Sequence, residues 1–480
     1  MLPPTLLLSL ALGLGCDTIQ LNSTEYYGSA VLKYPSTTAS HFGLCCNFCT
    51  KCHPPRYPGA ACAAWTWDSA TQICRLYAHG AKSRASVTCV SGGINMPTPA
   101  PTPWPTMPPT PPFAGCVDDW DCALAGDCVD GKCKCDAWAK GPQCTTLNLL
   151  PVDTDVASSD GVTMGYHHPT FSSWGGRSEL WSKAEGGDGK WHGFVSEILC
   201  NTSVDANKGV RCGLQPWQTS SQSTHVVADA PVGPYSRVGV ALPREAHDTT
   251  IKRGPNGEWL LYHVIGNSPA HVAWASSPHG PWSPVMDANN PNAPRDVGGS
   301  STNDPSPTLL ANGSMLMVYR SSDSRAEPCS HEAVFARRCD GGWNASEANC
   351  SPPLLTYLHT AEDPGVWRTR RGWHMLVNGM PGWGCMPKTA QGGLAWSRNG
   401  MNWSALTLGA YNSTVAFKTN GVVTKKDMNR RERPKVTTAA DGTPLVFWSA
   451  ICEDGGCKKT TESGSGSLGI WTLAQKFATS

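Results

Sequence analysis

Charge is scarce in this 480-residue chain. Asp, Glu, Lys and Arg supply 16% of it, and 38 basic against 37 acidic residues leave a formal net charge of +1. So small an excess gives no basis for a nucleic-acid partner or for binding an anionic membrane surface. Long apolar runs are missing as well. After the first residues, no stretch reaches the roughly 18 consecutive apolar residues of a spanning helix, so no transmembrane segment is expected. The ending IWTLAQKFATS lacks the hydrophobic tail of a lipid anchor. Neither G-x-S-x-G nor H-E-x-x-H occurs, which argues against a protease. Beyond residue 150 no useful stretch repeats its apolar residues every 3.6 positions, so long amphipathic helices are not expected either.

What the chain has in quantity is Gly (49), Pro (39), Cys (22) and Trp (20). Gly and Pro suit turns, loops and strands. Twenty Trp against nine Phe leaves two uses open, core packing and stacking on apolar ring faces in a cleft. The cysteine number argues against the cytosol. Residues 1–15 read as a secretory signal peptide: a short apolar run ending in Gly13 and Gly15, without the usual basic start, and with cleavage expected near Gly15–Cys16. Six N-x-S/T sequons, at Asn22, Asn201, Asn312, Asn344, Asn402 and Asn412, agree with a secreted product.

The cysteines fall into groups of eight, six and eight, as expected if each domain closes its own bridges. Zinc is the alternative for Cys45, Cys46, Cys49 and Cys52, whose spacing is metal-like. Residues 16–95 carry Cys62, Ala64, Trp65, Thr66, Trp67, Cys74 and Leu76 in the pattern C-x-A-W-T-W…C-x-L. This resembles a PAN/apple domain, which implies a strand pair and an extracellular protein or glycan partner. Residues 96–115, with nine prolines, form an extended linker. Residues 116–144 space their cysteines C-x5-C-x5-C-x4-C-x-C-x8-C. So short a segment cannot bury a sufficient core, so bridges must hold it. It resembles an EGF-like module, and the resemblance implies the pairs Cys116–Cys128, Cys122–Cys133 and Cys135–Cys144. Ala114-Gly115 stands where calcium-binding versions carry acidic residues, so no calcium is expected.

Residues 150–480 repeat one pattern: a polar or acidic cluster, a short apolar strand, a Gly/Asp/Asn turn, and a second apolar strand. It reads HDTTIKRGPNGEWLLYHVI from 247, NDPSPTLLANGSMLMVYR from 303, EDPGVWRTRRGWHMLVNGM from 362 and ERPKVTTAADGTPLVFWSA from 432, with a fainter copy over 167–198. Asn256-Gly257, Asn312-Gly313 and Asp441-Gly442 are hairpin turns by composition. Echoes such as AHVAWASSPHGPWSPV (270–285), HVVADAPVGPYSRVG (225–239) and GGLAWSRNGMNWSAL (392–406) read as outer strand pairs. Hairpins repeated at this period predict a mostly β chain with a five-bladed β-propeller.

The set HDTTI, NDPSP, AEDPGVW, RERP and SPHGPW resembles glycoside hydrolase family 43 and its relatives. In a propeller the starts of the inner strands converge on one channel mouth, so Asp248, Asp304, Glu362 with Asp363, and Glu432 are expected to meet there. Because adjacent side chains of a strand point to opposite faces, only one of Glu362 and Asp363 is expected to aim into the pocket, and the resemblance favours Glu362. Glycoside hydrolysis needs two facing carboxyl groups, one to protonate the leaving oxygen and one to activate water. The resemblance implies Glu362 as general acid with Asp304 tuning it, in an inverting hydrolase of poly- or oligosaccharides. The fold family admits a metal in the central channel, but no ligand cluster here demands one, so no metal or cofactor is expected. The family's base comes from an Asp in the first blade, where GYHHPTFSSWGG has none. The base then falls to Asp248 or is missing, with Asp155 and Asp160 lying upstream. Taken singly, Asp304 also reads as a capping residue and Arg-Glu-Arg as a solvated run. The missing first-blade Asp and the two modules that usually bind leave open a non-catalytic carbohydrate-binding or adhesion protein.

Arg320, Arg431 and Arg433 are placed to pair carboxylates or bind sugar hydroxyls. His247, His263 and His374 recur near the inner strands, and Trp174, Trp367 and Trp383 are stacking or core residues. Within this domain Cys200–Cys212 and Cys452–Cys457 are the easiest closures. Cys329, Cys339, Cys350 and Cys385 allow three pairings.

Overall fold

Each short apolar run flanked by a turn pair folds back on itself as an antiparallel hairpin. Ala246–Arg253 pairs with Trp259–Ile265, Asn303–Leu309 with Met315–Ser322, and Arg430–Thr438 with Pro444–Cys452. The turns place Gly257, Gly313 and Gly442 at φ of 89°, 83° and 85°, a region that glycine enters without strain. The computed structural model describes residues 115–155, 164–199, 213–214, 216–243, 245–266, 269–322, 332–357, 361–379, 392–453 and 469–479, together with the backbone of five strands between residues 21 and 93. The signal-peptide segment, Asp160, Cys200, Cys212, Cys329, Trp383, Cys385 and Cys457 lie outside the described residues. Among the described residues no helix is long and apolar enough to cross a membrane.

The chain divides into two compact units, Met1–Pro112 and Phe113–Ser480. In the first, one sheet runs in the order Leu21–Tyr27, Lys82–Gly93, Ala64–Asp68, Ile73–Tyr77, Thr37–Thr38.

The second unit contains five four-stranded antiparallel sheets. From inside outwards, blade 1 is Ser172–Leu180, Trp191–Ile198, Ser221–Ala228 and Ser236–Leu242. Blade 2 is Ala246–Arg253, Trp259–Ile265, Ala270–Ala275 and Ser283–Pro284. Blade 3 is Asn303–Leu309, Met315–Ser322, Glu332–Cys339 and Leu354–Tyr357. Blade 4 is Glu362–Arg368, Trp373–Asn378, Gly392–Ser397 and Thr407–Tyr411. Blade 5 is Arg430–Thr438, Pro444–Cys452 and Ile470–Lys476, completed by Gly165–Tyr166 from ahead of blade 1. The inner strands touch in a closed ring from blade 1 to blade 5 and back to blade 1. This is the expected five-bladed β-propeller, sealed by pairing a strand from ahead of blade 1 with the last strand of blade 5.

Stacking explains why the second strands are not alternately polar. Successive side chains point to opposite faces, and each face meets a neighbouring blade. Leu260 and Tyr262 pack toward Met315, Met317 and Tyr319 of blade 3. Trp259 and Leu261 pack toward Phe194 and Leu242 of blade 1.

The segment 116–144 closes Cys116–Cys128, Cys122–Cys133 and Cys135–Cys144, and blade 3 carries Cys339–Cys350. Its bridges are not its only support. Leu124 and Trp138 share a core with Trp367, Trp396, Tyr411 and Phe447 of blades 4 and 5. Arg371 of blade 4 holds Asp136 through Nε and Nη2 at 3.3 and 3.1 Å, and Asp127 through Nη1 at 2.5 Å. A segment too short to bury a core of its own uses the propeller's.

Candidate functional site

Every inner strand is interrupted at the same place. The ladder shifts register between Ser173 and Gly176, His247 and Thr250, Asn303 and Ser306, Glu362 and Gly365, and Glu432 and Lys435. At each bulge one residue takes a positive φ: Gly175 (80°), Asp248 (49°), Asp304 (45°), Asp363 (57°) and Arg433 (57°). A left-handed residue in a bulge re-aims its side chain, here toward the axis of the ring. Four of the five are not glycine, and such strain of about 1–3 kcal/mol per residue persists only where surrounding structure enforces it.

Three of the five positions, Asp248, Asp304 and Asp363, converge on the guanidinium of a fourth, Arg433. Arg433 Nη1 lies 3.2 Å from Asp248 Oδ1, 2.7 Å from Asp304 Oδ1 and 2.8 Å from Asp363 Oδ1. Its backbone N–H donates to Asp363 Oδ2 at 3.2 Å. Arg320 Nε grips Asp304 Oδ2 at 2.6 Å, and its Nη1 holds Glu332 at 2.6 Å. Lys435 Nζ stands 3.9 Å from Asp248. All three aspartates are buried. Burial pushes Asp304 toward the neutral form, but Arg320 and Arg433 together pull it well below the usual carboxylate range. Asp248 and Asp363 are pushed up, mainly by burial and with added repulsion from the neighbouring acids.

One residue earlier in each motif stand Trp174, His247, Asn303, Glu362 and Glu432. Glu362 and Glu432 are part-exposed, with Glu432's side chain 18% open. Each has its pKa pushed to about 7, first by desolvation; Glu432's charge adds to the rise at Glu362, and Asp363 to that at Glu432. Glu362 Oε1 accepts a bond from Asn378 Nδ2 at 3.0 Å, and Arg430 stands 3.5 Å from Glu432. His247 is buried; its Nδ1 meets Ser221 Oγ at 2.8 Å, Trp217 packs on its ring, and Arg433 Nη2 approaches its Nε2 at 3.5 Å. Burial and that guanidinium keep it neutral.

The structure thus brings Asp248, Asp304, Glu362, Arg320, Arg433 and His247 into one neighbourhood, with Glu432 beside it. It does not bring Arg431 there. Two residues before Arg433 across the bulge, Arg431 lies against the rings of Phe447 and Tyr411 and bonds Ser449, Gln475 and the Asn412 carbonyl. Trp367 and His374 also lie elsewhere. They stack on each other at 5.1 Å under Trp138, and His374 Nε2 reaches the carbonyls of Ala123 and Leu124. The reason is distance along the strand: five residues past Glu362, at about 3.3 Å each, is the other end of the blade. Trp174 is packed with Ile198, Leu214 and Ile470 and offers no free face. His263 packs against His271 within blade 2, and Asp155 caps the Asn420 amide at the periphery.

Two features escaped the sequence reading. Alternation along a strand allows only one of Glu362 and Asp363 to face the pocket, yet carboxylate oxygens of Asp304, Glu362 and Asp363 lie within 4.8 Å of one another. The bulge cancels the alternation. Nor does a first-blade carboxylate fit at the bulge position, since a Cβ at Gly175 would stand 2.7 Å from Arg433 Cβ. Setting the motifs W-G, H-D, N-D, E-D and E-R in one column is the signal that reveals both. The carboxylate trio has metal-ligating chemistry, but two guanidinium groups already fill its surroundings with positive charge.

No model of a known protein family and no curated protein sequence matches the chain. Among solved structures it is similar to a thermostable family-43 glycoside hydrolase, with 12% identity, coverage of 65% of this chain and 92% of that one, and a TM-score of 0.40. It is similar to a family 117 glycoside hydrolase from the marine bacterium Zobellia galactanivorans, at 14% identity, 65% and 87% coverage and a TM-score of 0.39. It is also similar to an exo-beta-1,3-galactanase from Phanerochaete chrysosporium, at 11% identity, 69% and 67% coverage and a TM-score of 0.38.

Proposed function

We propose that the chain is a secreted glycoside hydrolase acting on poly- or oligosaccharides, with Glu362 as general acid and Glu432 as the second carboxyl group. The observation that carries this reading is the pair itself. Two part-exposed carboxyls occupy the same bulge position on neighbouring blades, and each titrates near 7. Such a pair supplies one protonated and one ionised member near neutral pH, as acid–base hydrolysis requires. Asp248, Asp304 and Asp363 suit the role less. Sharing one nitrogen of Arg433, they stand closer together than the roughly 6.5–9.5 Å that leaves room for an attacking water. Their part is to hold Arg433 and, through Asp304, to raise Glu362. The apple-like segment 16–95 and the EGF-like segment 116–144 serve as extracellular tethers to a protein or glycan.

A second reading, carbohydrate binding without hydrolysis, is favoured by Gly175, since Arg433 fills the space where a first-blade base would project. Turnover separates the two. Purified protein is assayed on aryl glycosides and on arabinan, xylan and galactan oligomers, beside Glu362→Gln. The variant keeps size and hydrogen bonding but loses the transferable proton. Activity on poor leaving groups is expected to fall by roughly 10²–10⁴, and far less on leaving groups acidic enough to depart unaided. Equal losses on both substrate types remove Glu362 as the acid. Binding of oligomers with no turnover by the wild type supports the second reading instead.

A further inference from the structure

We propose that Asp188, His192 and His279 form a binding site for a zinc-class metal ion that joins blades 1 and 2, separate from the carboxyl cluster. Asp188 sits in the turn after the inner strand of blade 1, about 13 residues beyond the bulge at Gly175. His192 lies on the next strand, Trp191–Ile198. His279 comes from blade 2, in the Ser277–Gly280 turn that ties Gly280 N–H to the Ser277 carbonyl. Ligand atoms from the three lie within 4.8 Å of one another.

The arrangement around His192 orients it as a ligand. Its ring is fully buried, with Trp181 and Trp259 against it. Its Nδ1 is 2.9 Å from Nε2 of His225, which is buried and stacked on Phe194. When His225 accepts the Nδ1 proton, the Nε2 lone pair of His192 points toward Asp188 Oδ1, 3.1 Å away. A lone pair facing a carboxylate oxygen needs a positive centre near both, and outer partners of this kind fix the tautomer of metal-bound imidazoles. Asp188 and His279 are at the surface, so an ion can enter and a solvent molecule can fill the remaining position. Zinc bonds of about 2.0–2.2 Å require the three donors to draw together, which exposed side chains permit. Two imidazoles and one carboxylate select zinc, cobalt or copper over calcium and magnesium. The alternative is an ordinary turn in which Asp188 Oδ1 accepts only the His192 proton and the Lys190 amide at 2.9 Å.

The test uses the full chain, stripped with chelator and titrated with zinc and with cobalt, beside His279→Ala and Asp188→Asn. Both substitutions are at exposed side chains. The wild type is expected to bind one more equivalent of zinc than either variant, and to show a cobalt absorption band that both lose. The affinity lost exceeds the roughly 10–100-fold that removal of an outer partner costs. Zinc raises the thermal midpoint of the wild type but leaves that of the variants in place. Equal metal content and equal midpoints in wild type and both variants overturn the proposal. A calcium response that depends on His279 overturns it as well.

Discussion

Gly175→Ala would put a methyl group where Arg433 already lies, and two separate penalties can be assigned to it. The first is backbone strain: φ at this position is +80°, and a left-handed alanine costs about 1–2 kcal/mol. The second is contact. The new Cβ would stand 2.7 Å from Arg433 Cβ and 3.1 Å from its Cγ, on a side chain held by three aspartates. Overpacking of this kind costs about 1–3 kcal/mol. Gly186 supplies the control, because its φ is +79° and nothing lies within 4 Å of its would-be Cβ. Gly186→Ala therefore carries the backbone penalty alone. Urea midpoints of the two variants, measured side by side with tryptophan fluorescence, are expected to differ by the contact penalty, with Gly175→Ala the less stable. If the two alanine variants lose equal stability, Arg433 does not press on that site, and the explanation of the absent first-blade carboxylate fails.

Stability should also depend on pH. Glu362 and Glu432 ionise near 7 in the folded protein instead of at 4.5, so between those values the folded state holds protons the unfolded chain has lost. The urea midpoint is expected to fall as pH rises from about 4.5 to 7. Glu362→Gln combined with Glu432→Gln should flatten that fall, and a midpoint that climbs through the window contradicts the reading. Glu197→Gln is expected to cost about 1–3 kcal/mol, since it leaves donors around a buried site without their carboxylate acceptor. Glu197 is fully buried and accepts bonds from Tyr166, Gln222, Thr224 and Arg237. Tyr166 belongs to the strand that closes blade 5, so hydrogen exchange should quicken first at Ile470–Lys476. Unchanged exchange there would show that Glu197 does not hold the ring shut.

Hairpins were legible in the sequence because their determinants are local. Asn256-Gly257 needs only its own backbone to turn the chain, and HDTTIKR and WLLYHVI need only pair across it. The echoes at 225–239 and 270–285 form outer strand pairs for the same reason. Side-chain direction was not legible. It depends on a register shift that no single strand displays: simple alternation along EDP separates Glu362 from Asp363, and the flanking of Glu432 in RERP sets Arg431 beside Arg433 near the pocket. The structure reverses both, because the left-handed residue at each bulge resets which side chains face the axis. Trp367 and His374 went astray through a different physical fact: the segment 116–144 buries its apolar surface on blade 4, and such docking between segments far apart in sequence leaves no local pattern. Compared across blades, though, the chain does encode the site. Glycine stands at the one bulge position where the arginine's stem passes, and aspartate, which tolerates the left-handed region better than most side chains, stands at the three that face the guanidinium. Gly175 and Arg433 are therefore one feature written 258 residues apart, since any side chain at the first position would press on the stem of the second.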